Sequence, residues 1–264
     1  MERIRITSKG SVSKTVLIVL LLGTIFFAAV KLINLDIQKF FDRLQNVPAV
    51  LSRMMAVDFS IVPDALLNIL TSLTLALLTL VVAILLAMLL SFLAASNIAP
   101  NRIIAICIKG FFAIIRSVPS LVWGLMVIAS LGFGNVSGFL AILISAIGYL
   151  VKTFTASIEE TGSEIIEAMK STGASWFKII CHGLIPLCIT SFVAWITVCF
   201  ESNLSESIGL GIIGVGGIGL LLTQAINTYN YAQTTTIVIM ICLLMFVVEL
   251  VMTKIKNNIK FGNS

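Results

Sequence analysis

Two carboxylates and an amide, Glu201, Glu206 and Asn203, stand in an otherwise apolar stretch, and six glycines follow them closely: Gly209, Gly211, Gly214, Gly216, Gly217 and Gly219. Acids inside a membrane segment are costly to keep in lipid, so each is functional by default. One chemistry they allow is acid–base catalysis by an intramembrane enzyme. No convergent histidine, metal set or nucleophile accompanies them, which counts against it. A second is nucleotide binding, because GLGIIG and GVGGIG both fit the spacing G-x-G-x-x-G. A dinucleotide fold needs a strand before that motif, a helix after it and an acid further on, and the context here offers none convincingly. A third is a solute path, in which glycines allow close packing or break a helix and expose backbone groups. Glu201 and Asn203 lie two apart and share no helix face, so either the helix breaks there or they serve different contacts. His182 beside Cys181 has no second ligand at helical spacing and reads as a surface histidine. The five cysteines form no CxxC and read as small packing residues.

A second chemical feature is a polar island, Glu159 to Pro186, reading EETGSEIIEAMKSTGASWFKIICHGLIP. Glu159, Glu160, Glu164, Glu167, Lys170, Lys178 and the only histidine fall within it. Its charges and backbone groups would lack partners in lipid, so it lies in water between two spans. Thr161 with Glu164 fits a capping box that starts a helix near Gly162. Gly173 fits a left-handed stop. A second helix restarts at Ala174–Ser175 and runs toward Pro186, which closes it. Two short helices hinged at a glycine make a knob, and the small Ala168 beside Glu167 lets a partner surface approach.

The elements that position these groups are membrane helices. Hydrophobic residues make up 59% of the 264-residue chain and charged residues 11%, against about 45–50% and about 25% in soluble domains. Six spans are expected, near Val16–Ile33, Ala65–Ala95, Ser117–Leu131, Phe139–Ser157, Leu184–Phe200 and Thr234–Met252. A helix needs about 20 residues to cross the hydrocarbon; the second is longer, and the third is short unless Ile103–Ile115 extends it. Glu201 and Glu206 then sit at the outer end of the fifth span. Glu249, near the inner end of the sixth, can snorkel and pair with Lys254 or Lys256. Of 17 basic residues, only Lys31, Lys39, Arg43 and Arg53 fall on one side. The excess on the other side puts both termini and the island in the cytoplasm. The net charge of +5 is thus a topology signal and calls for no nucleic acid. Three parts are expected. Residues 1–62 hold a tail, an uncleaved first helix and an outer amphipathic segment suited to the membrane interface; 63–253 are the core; 254–264 are a basic cytoplasmic tail.

Glu167-Ala168-Met169, Gly173, Ile185 and Pro186 resemble the loop of ABC-importer permeases that reads Glu-Ala-Ala-x-x-x-Gly and, after a spacer, Ile-x-Leu-Pro. Here Met169 stands at the third position, Gly183 at the Ile and Ile185 at the Leu. Arg116–Leu125 and the segment Phe200, Glu201, Asn203 with Gly214 to Gly219 resemble permeases of the phosphonate-importer group more narrowly. Ser205 stands where that group often carries a basic residue, and Glu206 where it often carries a small one.

The resemblance implies an all-α membrane protein of the type I, MetI-like permease fold, working in the cell membrane by alternating access. It implies a homodimer with lipid around it, a pair of ABC ATPase subunits and an extracytoplasmic solute-binding protein. The chain has no G-x-x-x-x-G-K-[ST] and no cofactor of its own; ATP and Mg belong to the partner ATPase. The solute implied is phosphonate or a related phosphorus oxyanion, with another small solute such as an amino acid as the alternative. Carried onto this chain, the coupling residues are Glu164, Glu167, Ala168, Gly173, Ala174 and Pro186. The path or gate residues are Arg116, Ser117, Pro119, Glu201, Asn203, Gly214, Gly216, Gly217 and Gly219. Ionised Glu201 would repel an anion unless a donor holds it, and Arg116 is the expected donor.

Overall fold

The computed structural model describes residues 9–33, 36–161 and 163–261, and every element among them is helical. It divides into two units, Met1–Arg53 and Met54–Ser264. In the first, α1 (Lys9–Leu32) is apolar all round, with Leu17 67% and Phe27 72% exposed, as a lipid-facing span must be. The short α2 (Ile37–Leu44) starts on Asp36, whose Oδ1 accepts the Lys39 backbone N–H at 3.0 Å. That bond, with the Lys39 ammonium 3.0 Å from Oδ2, holds the Asp36 carboxyl below its usual range. Phe40 and Phe41 on α2 and Leu51 on α3 (Val47–Met54) are exposed.

The second unit opens with a 3-10 turn, Phe59–Ile61, and runs into α4 (Val62–Ala94). At 33 residues α4 is about 50 Å long, well beyond the hydrocarbon core. Ala76, Ala83 and Ala87 are fully buried along it, and such small side chains let helices approach closely where lipid offers no hydrophobic drive. The core is α4 with α7 (Asn135–Thr161) and α10 (Ile185–Ile212). Phe154 and Phe192 meet there with ring centroids 4.6 Å apart. α12 (Tyr231–Phe261) packs against α10 and α4. The extracytoplasmic end expected of α4 is tied to α12 through Asp58. Its N–H donates to Thr236 Oγ1 at 2.9 Å, and Gln233 Nε2 donates to its Oδ2 at 3.1 Å. The Ser60 hydroxyl and N–H, then Gln233, keep this carboxyl below its usual range.

Among the described residues five helical stretches are long and apolar enough to span a membrane; a sixth crossing exists only if a bent pair is one span. That pair is α5 (Arg102–Ser117) and α6 (Ser120–Leu131), which meet at 87°. Pro119 causes the break: it disfavours helical geometry at Val118, which is extended at φ −92, ψ 124. The expected third span is therefore only the second limb of a broken element, and Ile103–Ile115 is a helix with its own direction.

The fifth span also differs from expectation. Polarity rises after Phe200, yet α10 runs unbroken to Ile212. Glu201, Asn203 and Glu206 are therefore inside a continuous helix, and its end lies a further three turns on. The chain then turns at Ile213–Gly216 and folds back as α11 (Gly217–Asn227) against α10, α4 and α12. The sequence reading had no such helix.

Candidate functional site

The island is built as a knob on the end of α7. α8 (Ser163–Ser171) stops at Gly173, which has φ +77. The Gly173 and Ala174 N–H groups donate to the Lys170 and Met169 carbonyls at 3.0 and 3.1 Å. This paired pattern satisfies the last carbonyls of a helix and needs a left-handed residue at its centre. Glu164, Glu167 and Ala168 are exposed, and Ile166 is buried at 2%. The capping box is not formed. Thr161 is the last residue of α7, and its hydroxyl donates to the Ser157 carbonyl at 2.8 Å; Gly162 lies outside the described residues.

Pro186 does not close the second helix. Beyond Ser175 the chain forms α9 (Trp176–Lys178), then a π-helical segment, Ile179–Leu184, then α10 without interruption. Proline at the start of α10 lacks the N–H that an α-helix would require there. The wider turn just before it, with the Ile185 N–H on the Ile180 carbonyl, absorbs the missing bond. The second half of the knob and α10 are thus one rod, against which α8 packs across the turn at Gly173. The rod is fastened by Trp176 Nε1, which donates to the Ile98 carbonyl at 2.8 Å, and the end of α7 beside it by Asn97 Nδ2 on the Ile158 carbonyl at 2.9 Å and Lys109 Nζ on Glu159 Oε1 at 2.6 Å. Ala174 is half-buried, and Pro186 is exposed.

Two departures from the permease loop face each other. A Cβ on Gly183 would sit 2.7 Å from Met169 Sδ and 3.3 Å from Ile165 Cγ2. Met169 fills the space that an Ile at position 183 would take, and Gly183 leaves room that an Ala at position 169 would not need.

At the other end of α10 the glycines work by close approach. A Cβ on Gly211 would lie 2.6 Å from the Gly216 carbonyl oxygen and 2.9 Å from Gly219 Cα. A Cβ on Gly219 would strike the Ile208 carbonyl. α10 and α11 thus touch backbone to backbone. The turn between them carries Gly214, Gly216 and Gly217 at φ +99, +127 and +70, values that favour glycine. Asn135 and Ser72 crowd the outer sides of Gly216 and Gly217. Ser72 is fully buried: its hydroxyl accepts from the Ile218 N–H at 3.1 Å, and its carbonyl accepts from Ser207 Oγ at 3.3 Å. The sequence reading missed Ser72; the signal was a polar residue one turn beyond Asn68 in an apolar run, with Thr79 seven residues further on.

The middle of α10 is polar and incompletely paired. Asn203 is 2% exposed; its Oδ1 has a thiol contact from Cys199 at 3.8 Å, and its Nδ2 has no partner. Buried in the protomer, it is closed to direct solute contact in this conformation. Glu206 lies beside Ser120, with Oε2 unpaired. The expected Arg116–Glu201 ion pair is absent. Arg116 lies along α7, where its Cγ is 3.0 Å from where a Gly148 Cβ would stand, while the charges near half-buried Glu201 are Glu249 and Lys256 on α12. The two side chains therefore face different neighbours. Ser117 caps the end of α5 by donating to the Ile114 carbonyl at 2.7 Å, beside the bend at Pro119.

Residues 87–260 match the family of binding-protein-dependent transport system inner membrane components. The chain is 32% identical over 157 residues to the phosphate-import permease protein PhnE of Mycolicibacterium smegmatis, which covers 60% of this chain and 30% of that protein. It is 24% identical over 232 residues to the phosphite transport system permease protein PtxC of Stutzerimonas stutzeri, covering 88% of this chain and 84% of that one. The chain thus spans less than a third of the first relative and most of the second. Among solved structures, a chain of the inward-facing MetNI methionine ABC transporter matches with a TM-score of 0.69 at 17% identity, over 76% of this chain and 98% of that one. A chain of an amino acid ABC transporter crystallised with histidines matches at 0.61 and 20%, over 76% and 97%. At these identities the structures speak for the fold alone.

Proposed function

The chain belongs to the family of binding-protein-dependent transport system inner membrane components, and from that premise we propose that it is the permease subunit of an ATP-driven importer for a phosphorus oxyanion. Its fold is the MetI-like permease fold. The observation that carries the mechanism is the single rod from Trp176 to Ile212, against which α8 packs. A separate ATPase pair docks on Glu164, Glu167 and Ala168 in the cytoplasm. When ATP closes that pair, force on α8 passes through its packing on the π segment and then along α10 to the glycine turn. Differential affinity of the ATPases for the two permease states supplies the drive. A second copy of the chain completes the path, and an extracytoplasmic binding protein delivers the solute. The relatives named for phosphate and phosphite import support this solute class.

A cysteine placed at Glu164 in a cysteine-free background tests side and docking together. An impermeant thiol reagent should label it in inside-out vesicles and fail to label it in intact cells. Added ATPase subunit should protect it. Gly173→Val, which adds no clash within 4 Å but strains a left-handed position by about 1–2 kcal/mol, should lower ATPase co-purification several-fold with insertion unchanged. Labelling in intact cells, or full co-purification of the Gly173→Val chain, would sink the docking reading.

For the path, the α5–α6 bend (Arg116, Ser117, Pro119) and Glu201 on α10 face the solute. Asn203 and the turn of Gly214, Gly216, Gly217 and Gly219 hold the outer half of α10 in place. Glu201→Gln should reduce uptake in vesicles supplied with binding protein and ATP while leaving thermal stability unchanged. Unchanged uptake would remove Glu201 from the path.

A further inference from the structure

A cleft of about 530 Å³ separates α5 from α7. Its walls are largely apolar, but Lys109, Arg116, Lys152, Thr155 and Glu159 reach it. These charges are unevenly paired. Lys109 Nζ is 2.6 Å from Glu159 Oε1 and 2.7 Å from Ser96 Oγ, so that end of the cleft is neutralised. Among the described residues neither Arg116 nor Lys152 has an ion pair. Both are exposed, on the faces of α5 and α7 that line the cleft. Lys152 is nine residues from Thr161 at the end of α7, about 14 Å along the helix, and Arg116 lies beside Gly148, about 20 Å along it.

Thr155 gives a second, independent sign. On this part of α7 the hydroxyls of Thr153, Ser157 and Thr161 each donate to the carbonyl one turn back. The Thr155 hydroxyl makes no such bond; the residue is 4% exposed and its Oγ1 has no partner. A donor is thus held unused at the wall of a cleft with two unpaired cations. Ser117 adds no donor, since its proton is on the Ile114 carbonyl.

We infer that the α5–α7 cleft binds a phosphoryl oxyanion, with the Arg116 guanidinium, the Lys152 ammonium and the Thr155 hydroxyl as its donors. Guanidinium offers a planar fork that matches two oxygens of a tetrahedral anion, and ammonium adds a point charge. The same chemistry has two sources: a free oxyanion in transit, or the headgroup of an anionic lipid. The first rests on the transport reading above; the second does not.

The full chain, reconstituted in nanodiscs of phosphatidylcholine, should bind radiolabelled inorganic phosphate. Arg116→Gln and Lys152→Gln should each weaken that binding at least tenfold, and Thr155→Val by several-fold. The ligand-free melting temperature should hold in each, since Gln keeps the Cγ that packs on Gly148. In a second arm, nanodiscs containing phosphatidylglycerol are analysed by native mass spectrometry. Lipid retained by the wild type and lost from both charge variants, with no phosphate bound, assigns the site to a headgroup. If neither probe binds, or if binding is indifferent to all three substitutions, the inference is overturned. Wild-type transporter that imports no phosphate or phosphite would overturn the transport reading instead, and leave a measured phosphate or lipid site standing.

Discussion

Gly219→Ala should strongly destabilise the folded chain, whereas Gly209→Ala, ten residues earlier in the same glycine-rich run, should leave it intact. A single methyl separates the two outcomes. At Gly219 the added carbon meets the Ile208 carbonyl and comes within 3.0 Å of Gly211 Cα. These are backbone atoms of the facing helix, and no rotamer change moves them. The only relief is to part α10 from α11, which also pulls the Ile218 N–H off Ser72 and unseats the glycine turn from Asn135. Overpacking that side chains can relieve costs about 1–3 kcal/mol. This case has no such relief, and at least about 3 kcal/mol is expected, lowering the melting temperature in detergent by on the order of 10 °C. Uptake in vesicles should be lost. At Gly209 nothing lies within 4 Å of the new methyl, and alanine in a helix interior gains about 0.5–1 kcal/mol over glycine. Equal melting temperatures for the two variants would show that α10 and α11 are not in backbone contact.

The sequence exposed some of this and hid the rest for physical reasons. Apolar runs mark spans because lipid leaves no alternative to a helix, so the first, second, fourth and sixth were visible to within a turn or two at most ends. The fifth was cut short at Phe200. Hydropathy measures average polarity, but Asn203 and Ser207 are polar residues turned into a protein seam, and a helix with such a seam continues regardless of its mean. α11 was invisible for the opposite reason: its glycines read as a break, while their use is to let a returning helix touch α10. Pro119 and Pro186 look alike in sequence and act differently. Pro119 follows an extended Val118 and bends the chain by 87°. Pro186 follows a π turn and leaves the rod unbroken. Nothing in the local composition separates the two, since the difference lies in the hydrogen-bond pattern upstream. The knob was legible as an exposed polar island with a left-handed stop at Gly173. The Arg116–Glu201 pair depends on which helices face each other, and single-sequence periodicity does not carry that information.

Gly183→Ile should cripple the knob alone and be rescued by Met169→Ala, and this pair decides whether the two departures from the permease loop are one compensated change. Gly183 is buried in the π segment, with Met169 Sδ only 2.7 Å from where a Cβ would stand and Ile165 Cγ2 at 3.3 Å. Alanine at 183 can be met by swinging the flexible thioether aside, so its cost is small. Isoleucine adds three further carbons at the same spot, and α8 must lift from the rod. That displacement costs about 1–3 kcal/mol and moves Glu164, Glu167 and Ala168 relative to α10. ATPase co-purification should therefore fall more steeply than stability. Met169→Ala alone removes a half-buried side chain and opens a void beside Gly183, which should cost about 1–2 kcal/mol at this partial burial. The double variant restores the volume and the residue types of the permease loop. A coupling of about 1–3 kcal/mol in its favour is expected from thermal unfolding of the four chains, together with recovered ATPase association. If the two substitutions simply add, Met169 and Gly183 are independent departures, and the close approach of α8 to the π segment does not set the position of the coupling surface.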